Sequence, residues 1–231
     1  MIPVAREEGV SFVNRTATGK TLVISDFDGT IASNDMGHEV IRRFAGEGWE
    51  EINRAYCAGE LGSRDAYRRA AALFRVDREE LRRFVLKHCA LDPYFREFYH
   101  YCTTRGFDLK IVSDGLDFYI GVMLEESGLG EIDFYANALV FRPDGMLTIE
   151  FPHYNEECER CGNCKSSFLK RHRPFYERIV YIGDGYSDVC PAMDADLVFA
   201  KSILYEKCVE HGKECIHYEN FNDIKAYLKK M

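Results

Sequence analysis

The chain has 231 residues, 46 % of them hydrophobic and 29 % charged, with a net charge of −8. These values fit about one globular domain and exclude a disordered, collagen-like or low-complexity protein. No run of roughly 18 apolar residues occurs, so neither a transmembrane helix nor a membrane partner is expected. The first 20 residues lack a continuous apolar stretch, so a secretory signal is not expected, and the sequon Asn14-Arg15-Thr16 reads as chance. An acidic chain repels a phosphate backbone, which argues against nucleic acid as a partner. The nine cysteines are an odd number in a chain able to build its own core, so a reduced, cytoplasmic protein is expected.

In chain order, Thr21–Ile24 is a short apolar run without alternation, the pattern of a parallel strand covered on both faces. Residues 35–91 contain no such run. Met36, Val40 and Phe44 recur at helical spacing, as do Trp49, Ile52 and Tyr56. Ser63 reads as the N-cap of a helix carrying Ala66, Ala70 and Phe74. Asp77 opens another helix, with Glu80 completing a capping box and Val76 facing Leu81 as a hydrophobic staple. Residues 35–91 are thus expected to be an all-helical insert of about four helices, with Arg42, Arg43, Arg68, Arg69, Arg82 and Arg83 on solvated faces.

Asp92-Pro93 predicts an N-cap and a proline at the first helical position, ahead of Phe95, Phe98, Tyr99 and Cys102, with Gly106 as the stop. Leu109–Val112, Ile179–Ile182 and, more weakly, Leu197–Phe199 repeat the buried-strand pattern. Phe134–Phe141 and Leu147–Phe151 flank the turn-forming run 142–146, the mark of a hairpin on a sheet edge. Strand, helix, strand predicts an α/β fold: a doubly wound, Rossmann-like parallel sheet built from 1–34 and 92–231, with 35–91 inserted after the first strand.

Three of the buried runs end in small and acidic residues: Ser25-Asp26, Ser113-Asp114-Gly115 and Gly183-Asp184-Gly185. Ligands of open α/β sheets bind beyond these carboxyl ends. In Asp26-Phe27-Asp28-Gly29-Thr30 the two acids lie two residues apart and share a face. Paired carboxylates there call for a cation, and hard oxygen ligands suit Mg²⁺. Asp184 can reach the same ion. Ser113 and Gly115 offer a hydroxyl and a backbone N–H to a phosphate. Lys165, ahead of a helix beginning near Ser166, offers a positive charge. Asp188 lies one turn beyond Asp184. Singly, each also fits a plain role as a helix cap, first-turn acid or surface lysine. Cys158, Cys161 and Cys164 fall at three-residue intervals with His153 upstream. They read either as a zinc site or as a reduced loop that positions Lys165.

Together, the order acid pair, Ser113, Lys165, Gly183-Asp184-x-x-x-Asp188 resembles the haloacid dehalogenase superfamily over about residues 20–202. The resemblance is to its phosphatases, in the phosphoserine-phosphatase-like branch with a C1 cap. The run Cys158-x-x-Cys161-x-x-Cys164-Lys165 is similar to the 2-hydroxy-3-keto-5-methylthiopentenyl-1-phosphate phosphatases of methionine salvage and to phosphoethanolamine/phosphocholine phosphatases. Asp114 departs from the pattern, where these relatives more often have glycine.

The resemblance implies hydrolysis of a small phosphomonoester through an aspartyl-phosphate. Asp26 is then the nucleophile and Asp28 the acid and base. Asp26, the Asp28 carbonyl and Asp184 hold Mg²⁺, while Ser113, Gly115 and Lys165 hold the phosphoryl oxygens. Asp188 orients the metal shell or Lys165, the helical insert covers the site, and Asp35 recognises the substrate. Phosphoserine, phosphoethanolamine, phosphocholine and pyridoxal phosphate are alternative substrates. A phosphotransferase and a non-catalytic metal-binding module are the alternatives of another class.

Overall fold

Apolar runs that do not alternate need cover on both faces, and β1 (Thr21–Ser25) receives it. Val23 joins one core cluster with Phe27, Ile111 and Ile182, while Leu22 and Ile24 join a second with Val112 and Tyr181. These clusters lie on opposite faces of one sheet, because successive strand side chains point opposite ways. The structure is a computed structural model that describes residues 19–158 and 160–231. Residues 1–18, with the sequon and the start of the expected core segment, lie outside the described residues.

The sheet has seven strands in the order β4-β3-β2-β1-β5-β6-β7. They are β1, β2 (Asp108–Leu116), β3 (Phe134–Phe141), β4 (Leu147–Glu150), β5 (Arg178–Gly183), β6 (Leu197–Ala200) and β7 (Ile216–His217). Every neighbouring pair is parallel except β3 and β4, the expected edge hairpin. β1 lies centrally between β2 and β5, so residues just past its end face the carboxyl ends of both neighbours.

Four helices follow β1: α1 (Met36–Phe44), α2 (Trp49–Cys57), α3 (Ser63–Leu73) and α4 (Arg78–His88). The chain leaves and re-enters through an antiparallel bridge of Ala32 with Leu91. Asp77 caps α4, accepting from the Glu80 N–H at 2.7 Å. Two expected starts shift. Gly62 precedes α3 in the cap position, and Ser63 is the first helical residue, its hydroxyl directed elsewhere. α5 runs Phe95–Thr104, beginning two residues after Pro93. Asp92 instead closes a turn, its carboxylate accepting the Tyr94 N–H and its carbonyl the Phe95 N–H.

α6 (Asp117–Glu126), α7 (Lys165–His172), α8 (Val189–Asp194), α9 (Ser202–Glu210) and α10 (Phe221–Leu228) complete the layers. The segment after Ala200 carried no reading, yet Phe221 of α10 packs edge-on against Phe95 of α5 at 4.9 Å. β2 also runs further than expected, continuing through Ser113-Asp114-Gly115 to pair Leu116 with Asn137 beyond an irregularity in register. Among the described residues no helix is long and apolar enough to cross a membrane.

Candidate active site

The end of β1 sets the site. The Asp26 N–H donates to the Ile182 carbonyl at 2.9 Å, extending the strand pairing by one residue. Phe27 then points into the core, so Asp26 and Asp28 both face the strand ends. Gly29 has φ +68°, and a side chain there would meet the Asp184 carboxylate at 2.3 Å. Glycine lets the chain turn while the two acidic loops touch. The Thr30 hydroxyl donates to Asp184 Oδ1 at 2.9 Å.

Lys165, first residue of α7, is buried beneath this loop. Its Nζ lies 2.8 Å from Asp26 Oδ1 and 2.6 Å from Asp188 Oδ1, and donates to the Ser187 hydroxyl at 3.0 Å. Burial alone would depress the lysine, but the charges of Asp188 and Asp26 hold it well above the usual range. Burial likewise opposes the charged form of Asp188. Lys165 overrides it, aided by the Tyr181 hydroxyl and the Gly185 N–H, and holds the carboxyl below the usual range. Asp188 and Lys165 thus hold each other in the charged form.

The other acids are pushed the opposite way. Burial, then the neighbouring charge of Asp188, raises Asp26 and raises Asp184 to about 6. Oxygens of Asp26, Asp184 and Asp188 all lie within 4.8 Å of one another. Three carboxylates around one ammonium leave a negative surplus, and hard oxygen donors with this surplus fit a divalent cation. Asp28 is raised to about 7, by burial and then by the charge of Asp35. It accepts from the Tyr119 hydroxyl at 2.5 Å and the Met36 N–H at 2.8 Å.

Ser113 Oγ lies 3.5 Å from Asp28 Oδ2, and the Gly115 N–H donates to that serine oxygen at 2.9 Å. A side chain on Gly115 would collide with Tyr119 and Asp28. Asp114 turns away from these acids, accepting from Asn163 N–H at 2.8 Å and Asn137 Nδ2 at 3.1 Å. Asp35 caps α1, accepting the His38 N–H at 2.8 Å. It lines a cavity of about 290 Å³ whose far wall holds Trp49, Ile52, Tyr56 and Tyr67 from α2 and α3. Trp49, Ile52 and Tyr56 recur at helical spacing and line the cavity from α2.

The structure therefore brings Asp26, Asp28, Ser113, Gly115, Lys165, Asp184 and Asp188 to one place, with Asp35 at its rim. Among the described residues, it does not bring the thiols of Cys158, Cys161 and Cys164 to within 4.8 Å of one another. Cys158 is exposed, Cys161 half-buried, and Cys164 buried at the start of α7. Among the described residues, the only converging group of potential metal ligands is Asp26, Asp184 and Asp188. The structure gives the zinc reading no support: Cys158 is exposed while Cys164 is buried, and the thiols do not gather as a ligand set. Tyr119 and Tyr181 were missed because a hydroxyl on a helix or strand carries no sign of the carboxylate it will meet.

Residues 21–206 match the model of a family described as Putative Phosphatase. The chain belongs to this phosphatase family. It is 31 % identical over 216 residues to a 2-hydroxy-3-keto-5-methylthiopentenyl-1-phosphate phosphatase of Bacillus pumilus, covering 92 % of each chain. It is 28 % identical to the enzyme of that name from Brevibacillus brevis, covering 92 % of this chain and 96 % of that one. A phospho-aspartyl intermediate analogue structure of phosphoserine phosphatase superposes with a TM-score of 0.69 at 26 % identity, covering 91 % and 99 % of the two chains. The phosphatase thus sits in the phosphoserine-phosphatase-like branch of the haloacid dehalogenase superfamily, as a hydrolase of phosphomonoesters.

Proposed function

We propose that the protein is a magnesium-dependent phosphatase acting through an aspartyl-phosphate, with 2-hydroxy-3-keto-5-methylthiopentenyl-1-phosphate as substrate. The observation that carries the reading is the convergence of Asp26, Asp28, Asp184 and Lys165 past the ends of β1, β5 and the start of α7. Both Lys165 and the Phe27 N–H bind Asp26 Oδ1, which leaves Oδ2 to attack phosphorus. As the Oδ2–P bond forms and the ester P–O bond breaks, Asp28 gives its proton to the leaving oxygen. Asp28 then takes a proton from the water that attacks the phosphoryl group, releasing inorganic phosphate and regenerating Asp26. A carboxyl raised to about 7 can hold and release that proton near neutrality.

Asp26, Asp184 and the Asp28 carbonyl would hold Mg²⁺, which when bound offsets repulsion between carboxylate and phosphate. Ser113, Gly115 and Lys165 would steady the phosphoryl oxygens, and Asp188 orients Lys165. The helices of 35–91 form the cap over a core of 1–34 and 92–231. Among the described residues, the cavity lining contains acids but no lysine or arginine. A carboxylate-bearing phosphoserine would find no counter-charge there, whereas the uncharged keto-enol tail meets Ile52, Trp49 and Tyr56. Asp35 at the rim is the specificity residue in this reading. The nine free cysteines suit a reducing cytoplasm.

The test is phosphate release from a panel holding the enol phosphate, phosphoserine, phosphoethanolamine, phosphocholine and pyridoxal phosphate, with Mg²⁺ and with EDTA. The enol phosphate is expected to be best and EDTA to abolish release. A different best substrate would replace the substrate assignment. Transfer to added alcohols instead of water would identify a phosphotransferase, and no turnover of any compound would favour a binding module.

A further inference from the structure

The sequence casts Ser63 as the cap of α3, yet Gly62 holds the cap position, Ser63 is the first helical residue, and no side chain caps the helix. Its hydroxyl donates to the carboxylate of Asp114 and accepts the Gly162 N–H at 3.1 Å. Asp114 is flanked by Ser113 and Gly115. Gly162 lies three residues before Lys165. One hydroxyl from the helical insert therefore ties together the end of β2 and the turn before α7, the two core segments that carry the proposed phosphate ligands.

Other contacts close the same seam. Asp114 accepts the Asn163 N–H at 2.8 Å, and Asn163 Nδ2 donates to the Ser113 carbonyl at 2.9 Å. The Arg64 N–H donates to the Arg160 carbonyl at 3.3 Å, and the Arg160 guanidinium to the Gly59 carbonyl at 3.1 Å. A side chain on Gly62 would lie 2.2 Å from that Arg160 oxygen, so only glycine permits the approach. Ser63 is 8 % exposed, so water competes little for its hydroxyl.

We propose that Ser63 is a positioning residue: through its bonds to Asp114 and Gly162, docking of the helical insert sets the spacing between the Ser113–Gly115 segment and Lys165. The inference rests on the phosphatase reading for its consequence, but its physical content is a coupling between the insert and these segments. Coupling is reciprocal, so an anion that orders the segments must also tighten the insert against them.

Inorganic phosphate with Mg²⁺ is the probe, read by titration calorimetry and residue-resolved hydrogen exchange. In the wild-type protein, phosphate is expected to slow exchange of the Arg64 and Gly162 amides together. Ser63→Ala is expected to weaken phosphate about tenfold, as loss of a buried hydrogen bond does, and to speed exchange at Gly162 and Asn163. Ser63→Thr keeps the hydroxyl and is expected to restore both. Slowing confined to Gly162, with none at Arg64, would overturn the proposal and needs no variant. Unchanged phosphate affinity in Ser63→Ala, or faster exchange spread evenly along α3, would also overturn it. If no phosphomonoester is turned over while these responses appear, the functional reading fails and the clasp stands.

Discussion

Asp26 and Asp28 lie two positions apart and differ in the groups that hold them. Lys165 and the Phe27 N–H grip a single oxygen of Asp26, while Asp28 receives a phenol and a backbone N–H. In the proposed mechanism that difference would divide the labour between nucleophile and proton carrier. Asp26→Asn removes the attacking oxygen and is expected to lower kcat by more than about 10³-fold, measured on protein free of wild-type enzyme. Tyr119→Phe leaves the packing but removes the donor that aims Asp28. It is expected to lower turnover of alkyl phosphates roughly tenfold, within the range for one catalytic hydrogen bond. Its effect on the formation of the phospho-enzyme from p-nitrophenyl phosphate should be smaller, because that leaving group needs no proton. Equal losses in that step with both substrates would show that Tyr119 does not act through Asp28. Asp188 behaves differently again: Asp188→Ala strands a buried ammonium between fewer partners, and should cost about 3–5 kcal/mol in urea unfolding besides lowering activity.

At the scale of elements, the strands were legible because their chemistry is local. Leu22, Val23 and Ile24 are fully buried, and an unbroken apolar run in an otherwise charged chain permits little else. The acids past β1 and β5 were legible for the same reason, since a polar residue ending a buried strand must meet solvent or ligand. What depended on distant partners was not. Ser63 reads as a cap until Asp114 and Gly162 are in place, and β2 extends through Gly115 only because β3 pairs with Leu116. The cysteine run reads either as a ligand set or as a loop that positions Lys165, and nothing local to it decides between them. The short β7 has two residues, too few to leave a pattern. Where a cap is local, the reading holds: Asp77 caps α4, remote from the acids. Asp77→Ala should lower unfolding free energy by about 1 kcal/mol without changing kcat/KM. A changed kcat/KM would mean that α4 stability limits the site.

Over the whole molecule, the fold gathers carboxylates that it does not itself neutralise. Asp184 is raised to about 6, so between its ordinary range near 4 and that value the folded protein holds a proton the unfolded chain has released. Stability from this group is complete at low pH and is lost as pH rises through about 6. Without a divalent cation, unfolding free energy should therefore decline over that window. On the proposed reading Mg²⁺ would bind the folded chain alone and offset the same repulsion, so it should stabilise by ~2.7 kcal/mol at a hundredfold its Kd. For a chain of this length that corresponds to roughly 5–10 °C in Tm. Asp184→Asn removes both the repulsion and a ligand. Its metal-free Tm should equal or exceed that of wild type, and its response to Mg²⁺ should vanish. A variant less stable without metal, yet still raised by Mg²⁺, would place the cation on other residues and make Asp184 a structural partner of Thr30.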